Sequence, residues 1–379
     1  MLDDRDDPRG HELRGPDLLA AARHLGNVDV PAHGRDLDAT SVLRRGDLEA
    51  AHAIADVDQD LDTITPHYDS LGTREDQKGD RLMHIGVVLP QVAADWDHVI
   101  EAAQHAEGAG ADSVWVIDHV LGFPPQRGIL EAWSVMSAVA STTSRVEIGA
   151  QVLCQSFRNP ALLAKIAATT DRISKGRLRM LLGAGWFEQE YRAFGWDFPT
   201  PGIRFEQTRD TVAILKGLFA PHEGGFTYTG KHYSVNEAVN LPLPVQQPLP
   251  IEIGGVGNRM LRLVAKECDG WNSPGAALAA FEGRRAFLAK ACADNGRSIE
   301  ELRLSVQIVA AVGDDEAAQH PGMAMFNPSL GLIGSPEQAA ARARELMALG
   351  VTDFNCIVPP GNRGRTIVER VINEVKPLV

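Results

Sequence analysis

The sequence has little cysteine and no long apolar run, and both absences restrict what the protein can be. Its four cysteines, Cys154, Cys268, Cys292 and Cys356, are widely spaced and form neither a CxxC pair nor a cluster with histidine. This spacing offers no disulfide framework and no zinc site, and it is typical of a reducing compartment. No stretch approaches the roughly 20 apolar residues of a membrane helix, and the opening MLDDRDDPRG lacks the apolar core of a secretory signal. We therefore expect a cytoplasmic protein.

An excess of positive charge is also lacking. The net charge is −13, whereas nucleic-acid binding requires clustered Lys and Arg. The same balance gives no support to binding at an anionic membrane surface. We therefore expect neither nucleic acid nor a membrane as a partner.

Residues 1–82 are rich in acid and poor in bulky apolar side chains. They contain no Phe or Trp, and they carry 19 Asp and Glu against 10 Lys and Arg. Such a segment cannot bury enough apolar surface to offset the entropy lost on ordering. We predict a largely disordered extension that adds nothing to the fold, in preference to an acidic regulatory tail, followed by one folded domain at 83–379.

From Met83 onward, short apolar runs alternate with amphipathic stretches, the pattern of repeated βα units. The predicted strands are HIGVVLP, DSVWVID, RVEIGAQVL, RLRMLLGAG, IEIGG, DGWN, LRLSVQIVAAVG and VTDFNCIV. The predicted helices cover residues 96–110, 131–143, 160–173, 203–219, 258–268, 277–295, 335–350 and 363–376. Eight strands and eight helices in alternation predict an α/β fold, the (β/α)8 TIM barrel. Residues 220–248 interrupt the alternation with a hairpin-like stretch and a proline-rich loop, so we predict an insertion region there.

Function in such a barrel belongs at the carboxyl ends of the strands. Asp118 and His119 directly follow the second predicted strand. A histidine in this place can act as a general acid or base, because its ordinary pKa lies near physiological pH. A loop pair that caps the next segment is the structural alternative. No strand end offers the paired histidine and carboxylate ligands of a metal-dependent hydrolase, and we expect no metal site.

Glycines end the fourth and fifth predicted strands. In GAGWFE, Gly183 and Gly185 would let a planar ligand approach the backbone, although a tight turn would also need them. A dinucleotide-binding fingerprint would require a further glycine at position 188, which is Glu188. In GGVGNRMLRLVA, the amides at the helix start can hold a phosphate, with Arg259 nearby as a counter-charge.

Taken together, these segments resemble the luciferase-like monooxygenase family, in particular its branch that depends on coenzyme F-420. The matching stretches are DSVWVIDH, RVEIGAQVL, RNPALLAKIAATTDRISKGRL, GAGWFEQEYRAFG and IEIGGVGNRMLRLVAKECDGWN. They occur in the family's order and span about residues 84–379. The resemblance implies a deazaflavin or flavin ring across the carboxyl-terminal mouth of the barrel.

The resemblance also implies roles for individual residues. His119, beside Asp118, would face the reactive edge of the ring, and a non-proline cis peptide bond is expected at Gln151-Val152 beneath it. The residues expected to line the cofactor are Gln151, Val152, Gly183, Ala184, Gly185, Trp186, Gly254, Gly255 and Asn258.

One position departs from the family's sugar-phosphate dehydrogenases. Those enzymes have an acidic Glu directly after the glycine pair of the fourth strand, where this chain has Trp186. We therefore do not expect oxidation of a sugar phosphate. Glu188 and Glu190 are candidate substitutes for the acid.

The resemblance implies hydride transfer between coenzyme F-420 and a small organic substrate. An FMN-dependent monooxygenase supplied with reduced flavin by a partner reductase is the first alternative, and a cofactor-binding protein without turnover is the second. Family members often form dimers, so a homodimer is expected. The loops GFPPQRG and GDDEAAQHPGMAMFNPSLG, together with the insertion, are predicted to shape the substrate pocket.

Overall fold

The structure is a computed structural model of the chain, and it describes residues 83–92, 95–122, 124, 126–313 and 331–379. The predicted disordered extension, residues 1–82, lies outside the described residues. Most of the second predicted substrate loop, residues 314–330, also lies outside them.

The strands of the described residues form a barrel, two short strands that pair with its ends and a separate hairpin. In chain order they are β1 (His84–Val88), β2 (Ser113–Val116), β3 (Glu147–Ala150), β4 (Leu153–Cys154), β5 (Leu178–Gly183), β6 (Phe226–Thr229), β7 (Ser234–Ala238), β8 (Ile251–Gly254), β9 (Gly270–Ser273), β10 (Arg303–Val312), β11 (Leu332–Gly334) and β12 (Asp353–Ile357).

Eight of these strands close into a parallel barrel. The neighbours run β1, β2, β3, β5, β8, β9, β10 and β12, and β12 pairs with β1 to complete the ring. β4 continues from β3 after a break and pairs with the end of β5, while β11 pairs with the end of β10. The predicted (β/α)8 barrel is confirmed.

Helices surround the barrel on its outer side. In chain order they are α1 (Trp96–Ala109), α2 (Ala132–Thr142), α3 (Pro160–Ser174), α4 (Glu188–Ala193), α5 (Pro201–Phe219), α6 (Asn258–Glu267), α7 (Phe281–Asp294), α8 (Pro336–Ala348) and α9 (Asn362–Arg370). Outward-facing apolar residues of the strands pack with the helices into one continuous core. Helix starts follow local chemistry: Ser335 caps α8 with a capping box, and Pro336 takes the first helical position.

Four elements differ from the sequence prediction. The third predicted strand is broken between β3 and β4 at the cis peptide bond Gln151–Val152. The short helix α4 and the edge strand β11 were not predicted, because each is shorter than the periodic pattern that reveals an element. The closing helix α9 ends at Arg370 and continues as a π-helical turn, Val371–Val375.

The amino-terminal end of the barrel interior holds a network of buried ion pairs. Arg179 donates to both carboxylate oxygens of Glu252 at 2.5 and 2.7 Å. It also donates to Glu147 and Asp353, and Arg303 bridges these same two carboxylates. Burial alone would raise the pKa of Asp353, but the charges of Arg303 and Arg179 outweigh it and lower that pKa. This end of the barrel therefore holds two guanidinium groups paired with three carboxylates.

The insertion forms the predicted hairpin and extended loop. β6 and β7 pair antiparallel, and the following residues carry cis peptide bonds before Pro242 and Pro248. The buried Asp210 of α5 holds the turn, since it accepts hydrogen bonds from the amide of His232 and the hydroxyl of Tyr228. The hairpin is therefore fastened to α5. Among the residues that the structure describes, no helix combines the length and hydropathy needed to cross a membrane.

Candidate active site

A histidine and a buried carboxylate meet at the carboxyl end of the barrel. His119 follows β2, and its Nδ1 lies 3.0 and 3.1 Å from the two carboxylate oxygens of Glu190 in α4. The Glu190 side chain is 2% exposed and also accepts from the amide of Val120. With Nδ1 donating to Glu190, the ring orientation is fixed and Nε2 becomes the nitrogen that can accept a proton. This arrangement can position His119 as a general acid or base.

Aromatic rings flank this histidine. Trp186 and Phe187 each approach His119 edge to face, with ring centroids 5.7 and 5.9 Å away. Trp186 is 66% exposed, although it is a large apolar side chain. An exposed tryptophan beside a histidine gives the mouth of the barrel an apolar wall.

Asp118 is tied into the scaffold beside the histidine. Its carboxylate accepts two hydrogen bonds from Arg158, at 2.7 and 3.0 Å, and a third from the amide of Cys154 at 2.8 Å. Burial disfavours the charge of Arg158, but the hydrogen bonds and charge of Asp118 outweigh this effect and raise the pKa of Arg158. Through these contacts Asp118 connects the loop that follows β2 to β4 and to Arg158.

The segment after β3 supplies a platform. The expected cis peptide bond is present at Gln151–Val152. A Cβ atom built on Gly183 would lie 2.3 Å from a methyl group of Val152, and one built on Gly254 would lie 2.5 Å from its other methyl group. The absence of side chains at these two glycines therefore makes room for the half-buried Val152. Val152, and not a ligand, occupies the space directly beside them.

The side-chain amide of Gln151 is buried in an unusual way. Gln151 directly follows β3, and it is 7% exposed. Both polar atoms of its amide are buried and have no hydrogen-bond partner among the described residues. Buried amides are nearly always paired, so an orphaned donor and acceptor in one side chain suggest contact with a ligand.

The turn after β5 is shaped by a tyrosine. Gly185 has a φ of +77°, and a Cβ atom there would meet the hydroxyl of Tyr191 at 2.1 Å. That hydroxyl lies 3.0 Å from the thiol of Cys154 and also bonds to Ser156. Burial raises the pKa of Tyr191 and of Cys154. These groups stay protonated, and Gly185 is required by both backbone and space.

A second part of the site lies at the start of α6. Gly255 has a φ of +129°, and its nearest neighbour in the Cβ direction is Met260 at 3.8 Å, so its backbone is open to close approach. The N-cap residue of α6 is Gly257, which has no side chain to cap the first amides. Arg284 of α7 donates to the exposed Asn258 at 2.8 Å. Helix-start amides without a side-chain cap, beside a guanidinium, form a site suited to a phosphate.

Most of the predicted residues are joined by contacts, and some important neighbours were missed. The set that comes together is His119, Asp118, Val152, Gly183, Gly185, Trp186 and Gly254, with Ala184 half-buried between the glycines. Asn258 belongs to the α6 start instead. The sequence had offered Glu190 as a substitute acid, but it gave no signal that Arg158 pairs with Asp118 or that Arg284 bonds to Asn258, because these partners lie far apart along the chain. Within the described ranges, no group of His, Cys, Asp and Glu could hold a metal ion.

Comparison with known proteins identifies relatives. The luciferase-like monooxygenase family matches residues 83–327. An F420-dependent glucose-6-phosphate dehydrogenase from Amycolatopsis mediterranei is 33% identical over 177 residues, which cover 46% of this chain and 52% of that protein. An FMNH(2)-dependent dimethylsulfone monooxygenase from Pseudomonas putida is 24% identical over 262 residues, 58% of this chain and 71% of that protein. The chain thus spans about half the length of the dehydrogenase.

Solved structures give the same architecture. An F420-dependent secondary alcohol dehydrogenase in complex with an F420-acetone adduct aligns with a TM-score of 0.68 at 20% identity, over 78% of this chain and 99% of that one. A coenzyme F420 dependent tetrahydromethanopterin reductase from Methanopyrus kandleri aligns with a TM-score of 0.66 at 19% identity, over 78% and 99%. At these identities the likeness shows the fold alone.

Proposed function

Since the chain belongs to the luciferase-like monooxygenase family, we propose that it is an oxidoreductase that uses coenzyme F-420 to transfer a hydride to or from a small organic substrate. The observation that carries this proposal is the His119–Glu190 pair at the barrel mouth, beside the Gln151–Val152 platform. The relatives named F420-dependent glucose-6-phosphate dehydrogenase support the choice of cofactor.

The residues of the mouth fit a deazaflavin ring. The orphaned amide of Gln151 offers one donor and one acceptor, which matches the alternating N–H and C=O groups on the pyrimidine edge of such a ring. Val152 supports a planar group from below, and Gly255 permits close approach of the backbone. When bound, coenzyme F-420 supplies the two-electron hydride chemistry, while the protein binds, orients and shields it.

Residues of the protein would transfer the proton that accompanies the hydride. Glu190 holds His119 through Nδ1, so that Nε2 can exchange a proton with a substrate oxygen as the oxidation state changes. Asp118 is proposed to act as a positioning residue, because Arg158 and the Cys154 amide already take its carboxylate. Gly183 and Gly254 are proposed to act through Val152, and Asn258 together with Arg284 would hold the phosphate of the cofactor.

The substrate is proposed to present an apolar group to the mouth. Trp186 stands where the family's sugar-phosphate dehydrogenases have a glutamate, and together with Phe187 it forms an apolar wall beside His119. An apolar wall offers no partner for a charged phosphate, whose desolvation would then cost binding energy. An uncharged alcohol or carbonyl compound fits these side chains better.

FMN-dependent monooxygenation is the second candidate. It is favoured by the dimethylsulfone monooxygenase, of which the chain covers 71%, and it would require a partner reductase. A binding protein without turnover is less well supported, because it would not need a buried carboxylate to orient His119. The homodimer and the cytoplasmic location stay predictions from the sequence.

The experiment is a fluorescence titration of the full chain, with any bound cofactor removed, against coenzyme F-420 and separately against FMN. Tighter binding of coenzyme F-420 would support the proposal, and tighter binding of FMN would move the protein to the monooxygenase alternative. Binding of neither cofactor would overturn both.

A variant makes the titration specific to the ring site. Gln151→Leu keeps the volume but removes the orphaned donor and acceptor. We expect coenzyme F-420 to bind about tenfold more weakly, while the protein becomes more resistant to urea, since an unpaired buried amide costs about 1–3 kcal/mol. Lower stability together with unchanged affinity would contradict a ligand-binding role for Gln151.

A further inference from the structure

Helix α4, which carries Glu190, is too short to be stable without tertiary contacts. It has six residues, and its N-cap residue, Phe187, has no polar side-chain group to cap it. Isolated helices shorter than about 12–15 residues are marginal in water even when their sequences favour helix. The buried residues of α4 are Glu190 and Tyr191, which are adjacent in the chain. The place of the Glu190 carboxylate therefore depends on how Tyr191 is held.

The side chain of Tyr191 is held both at its hydroxyl and along its ring. The hydroxyl lies 3.0 Å from Sγ of Cys154 and is also hydrogen-bonded to Ser156. The ring centroid lies 5.5 Å from that of Phe157 and 4.9 Å from that of Phe198. Only 1% of Tyr191 is exposed. Tyr191 thus fastens α4 to β4 and to the residues that directly follow β4.

These contacts form a closed ring that begins and ends at His119. Nδ1 of His119 donates to Glu190, and the neighbour of Glu190, Tyr191, meets Cys154 through its hydroxyl. The amide of Cys154 donates to Asp118 at 2.8 Å, and Asp118 directly precedes His119. The ring joins the loop after β2 to α4 and to β4. Without the hydroxyl of Tyr191, this ring is open between α4 and β4.

We propose that Tyr191 is a positioning residue that sets the place of His119 relative to the Gln151–Val152 platform. Cys154 follows the platform by two residues, so the Tyr191 hydroxyl connects the helix of Glu190 to the same segment of chain. The inference rests on the proposed function, because it gives Tyr191 a part in the proton transfer proposed for His119. A general acid or base must lie within hydrogen-bond reach of the proton it moves, and a misplacement of about 1 Å can lower a rate about 100-fold.

The test removes the Tyr191 hydroxyl and keeps the ring. In Tyr191→Phe, Sγ of Cys154 and the hydroxyl of Ser156 keep each other as partners, because they already lie 3.4 Å apart. Neither former partner of the hydroxyl is then left unpaired, and we expect the variant to fold with its ring still packed against Phe157 and Phe198. Thermal unfolding of the full chain checks that the fold is retained.

The readout is the position of the proton on the His119 ring, measured by nitrogen NMR of the full chain with isotope-labelled histidine. The His119 signals are those lost in His119→Ala, and spectra are recorded at a pH where the ring is neutral. In the wild-type chain the proton should lie on Nδ1, where it is donated to Glu190, so the two ring nitrogens should have well-separated shifts. In Tyr191→Phe the proton should spread over both nitrogens, and the separation should shrink toward zero, the value for an even distribution.

Two comparisons show whether Tyr191 acts through Glu190. Tyr228→Phe is the matched control, since it removes a hydroxyl that donates to Asp210 at 3.1 Å in the hairpin, and it should leave the His119 shifts unchanged. In a Glu190→Ala background, Tyr191→Phe should add no further change to these shifts, because the carboxylate that Tyr191 positions is gone.

A second variant opens the ring at the same link. Cys154→Ala/Ser156→Ala removes both partners of the hydroxyl while Tyr191 stays, and it should also bring the two His119 shifts closer together. This variant keeps the inference testable if Tyr191→Phe does not fold.

The outcomes separate this inference from the proposed function. His119 shifts that keep their wild-type values in folded Tyr191→Phe, or that change as much in Tyr228→Phe, would overturn the positioning role of Tyr191, whichever cofactor the chain binds. If the shifts change as expected but coenzyme F-420 does not bind the wild-type chain, the proposed function fails while the link between Tyr191 and His119 stands.

Discussion

Placing one methyl group on Gly254 tests whether Val152 is the platform of the site. Gly254 does not have a positive φ, so alanine meets no backbone obstacle there. Its Cβ atom would lie 2.5 Å from a Val152 methyl carbon, whereas carbon atoms in contact are about 3.5–4.0 Å apart. Val152 would have to withdraw by about 1 Å, and overpacking of this kind costs roughly 1–3 kcal/mol of unfolding free energy.

A second substitution should relieve the first. Val152→Ala removes both methyl groups, and the nearest remaining atom to the new Cβ is the Cβ of residue 152, at 3.6 Å, an ordinary contact. By itself this change should cost about 1 kcal/mol, because the side chain is only half-buried. The double variant should then lose less than the sum of the single losses, with a coupling of about 1 kcal/mol or more.

The assay is urea unfolding of the four proteins, with coenzyme F-420 affinity measured in parallel. Gly108→Ala serves as the control, because its Cβ meets nothing within 4 Å and a helical alanine should stabilise α1 by up to about 1 kcal/mol. Affinity should fall in Gly254→Ala, where Val152 is displaced, and recover in part in the double variant. Additive stability losses, or a neutral Gly254→Ala, would refute the packing argument.

Two other predictions concern the opposite ends of the barrel. His119→Ala should lower kcat about 100-fold or more, and Glu190→Gln should lower it about tenfold. The Kd for coenzyme F-420 should stay nearly unchanged in both variants. A large loss of cofactor binding would argue against a role of this pair in proton transfer. Arg179→Met leaves three carboxylates with Arg303 alone, and urea unfolding at pH 7 should show a loss of about 3–5 kcal/mol. Because the pKa of Asp353 is lowered in the fold, its pairing stabilises the protein above the ordinary Asp pKa of about 3.9, and the variant's deficit should shrink as the pH falls below it. A deficit independent of pH would contradict this.

The barrel was predictable because the sequence pattern of each βα unit lies within that unit. Apolar strand runs, amphipathic helices and caps such as Ser335-Pro336 all lie within a few residues of the structure they specify. The elements that were missed depend on distant partners. β11 is a strand only because it pairs with the end of β10, and β4 is separated from β3 by the cis peptide bond. Neither condition produces a periodic signal along the chain.

The site was predictable in position but not in detail. The positional rule for barrels and the family resemblance led to His119 and to the Gln151–Val152 bond. The sequence did not reveal which side chains are in contact, since Glu190 lies 71 residues from His119 and Arg158 lies 40 residues from Asp118. The glycines illustrate the same limit. A glycine in the sequence records that space is needed but not whether a ligand or Val152 fills it.

The two ends of the barrel interior use polar groups in opposite ways. At the amino-terminal end, the charges of Arg179 and Arg303 are both paired with carboxylates of the protein. At the carboxyl-terminal end, the buried amide of Gln151 has no partner among the described residues, and Gly255 leaves its backbone open. An unpaired buried amide lowers the free energy of unfolding of the protein without ligand, whereas a leucine of similar volume would avoid that loss. Asn355, within β12, also carries a buried amide with neither atom paired among the described residues, so the amide of Gln151 supports a ligand site only together with its place at the carboxyl end of β3.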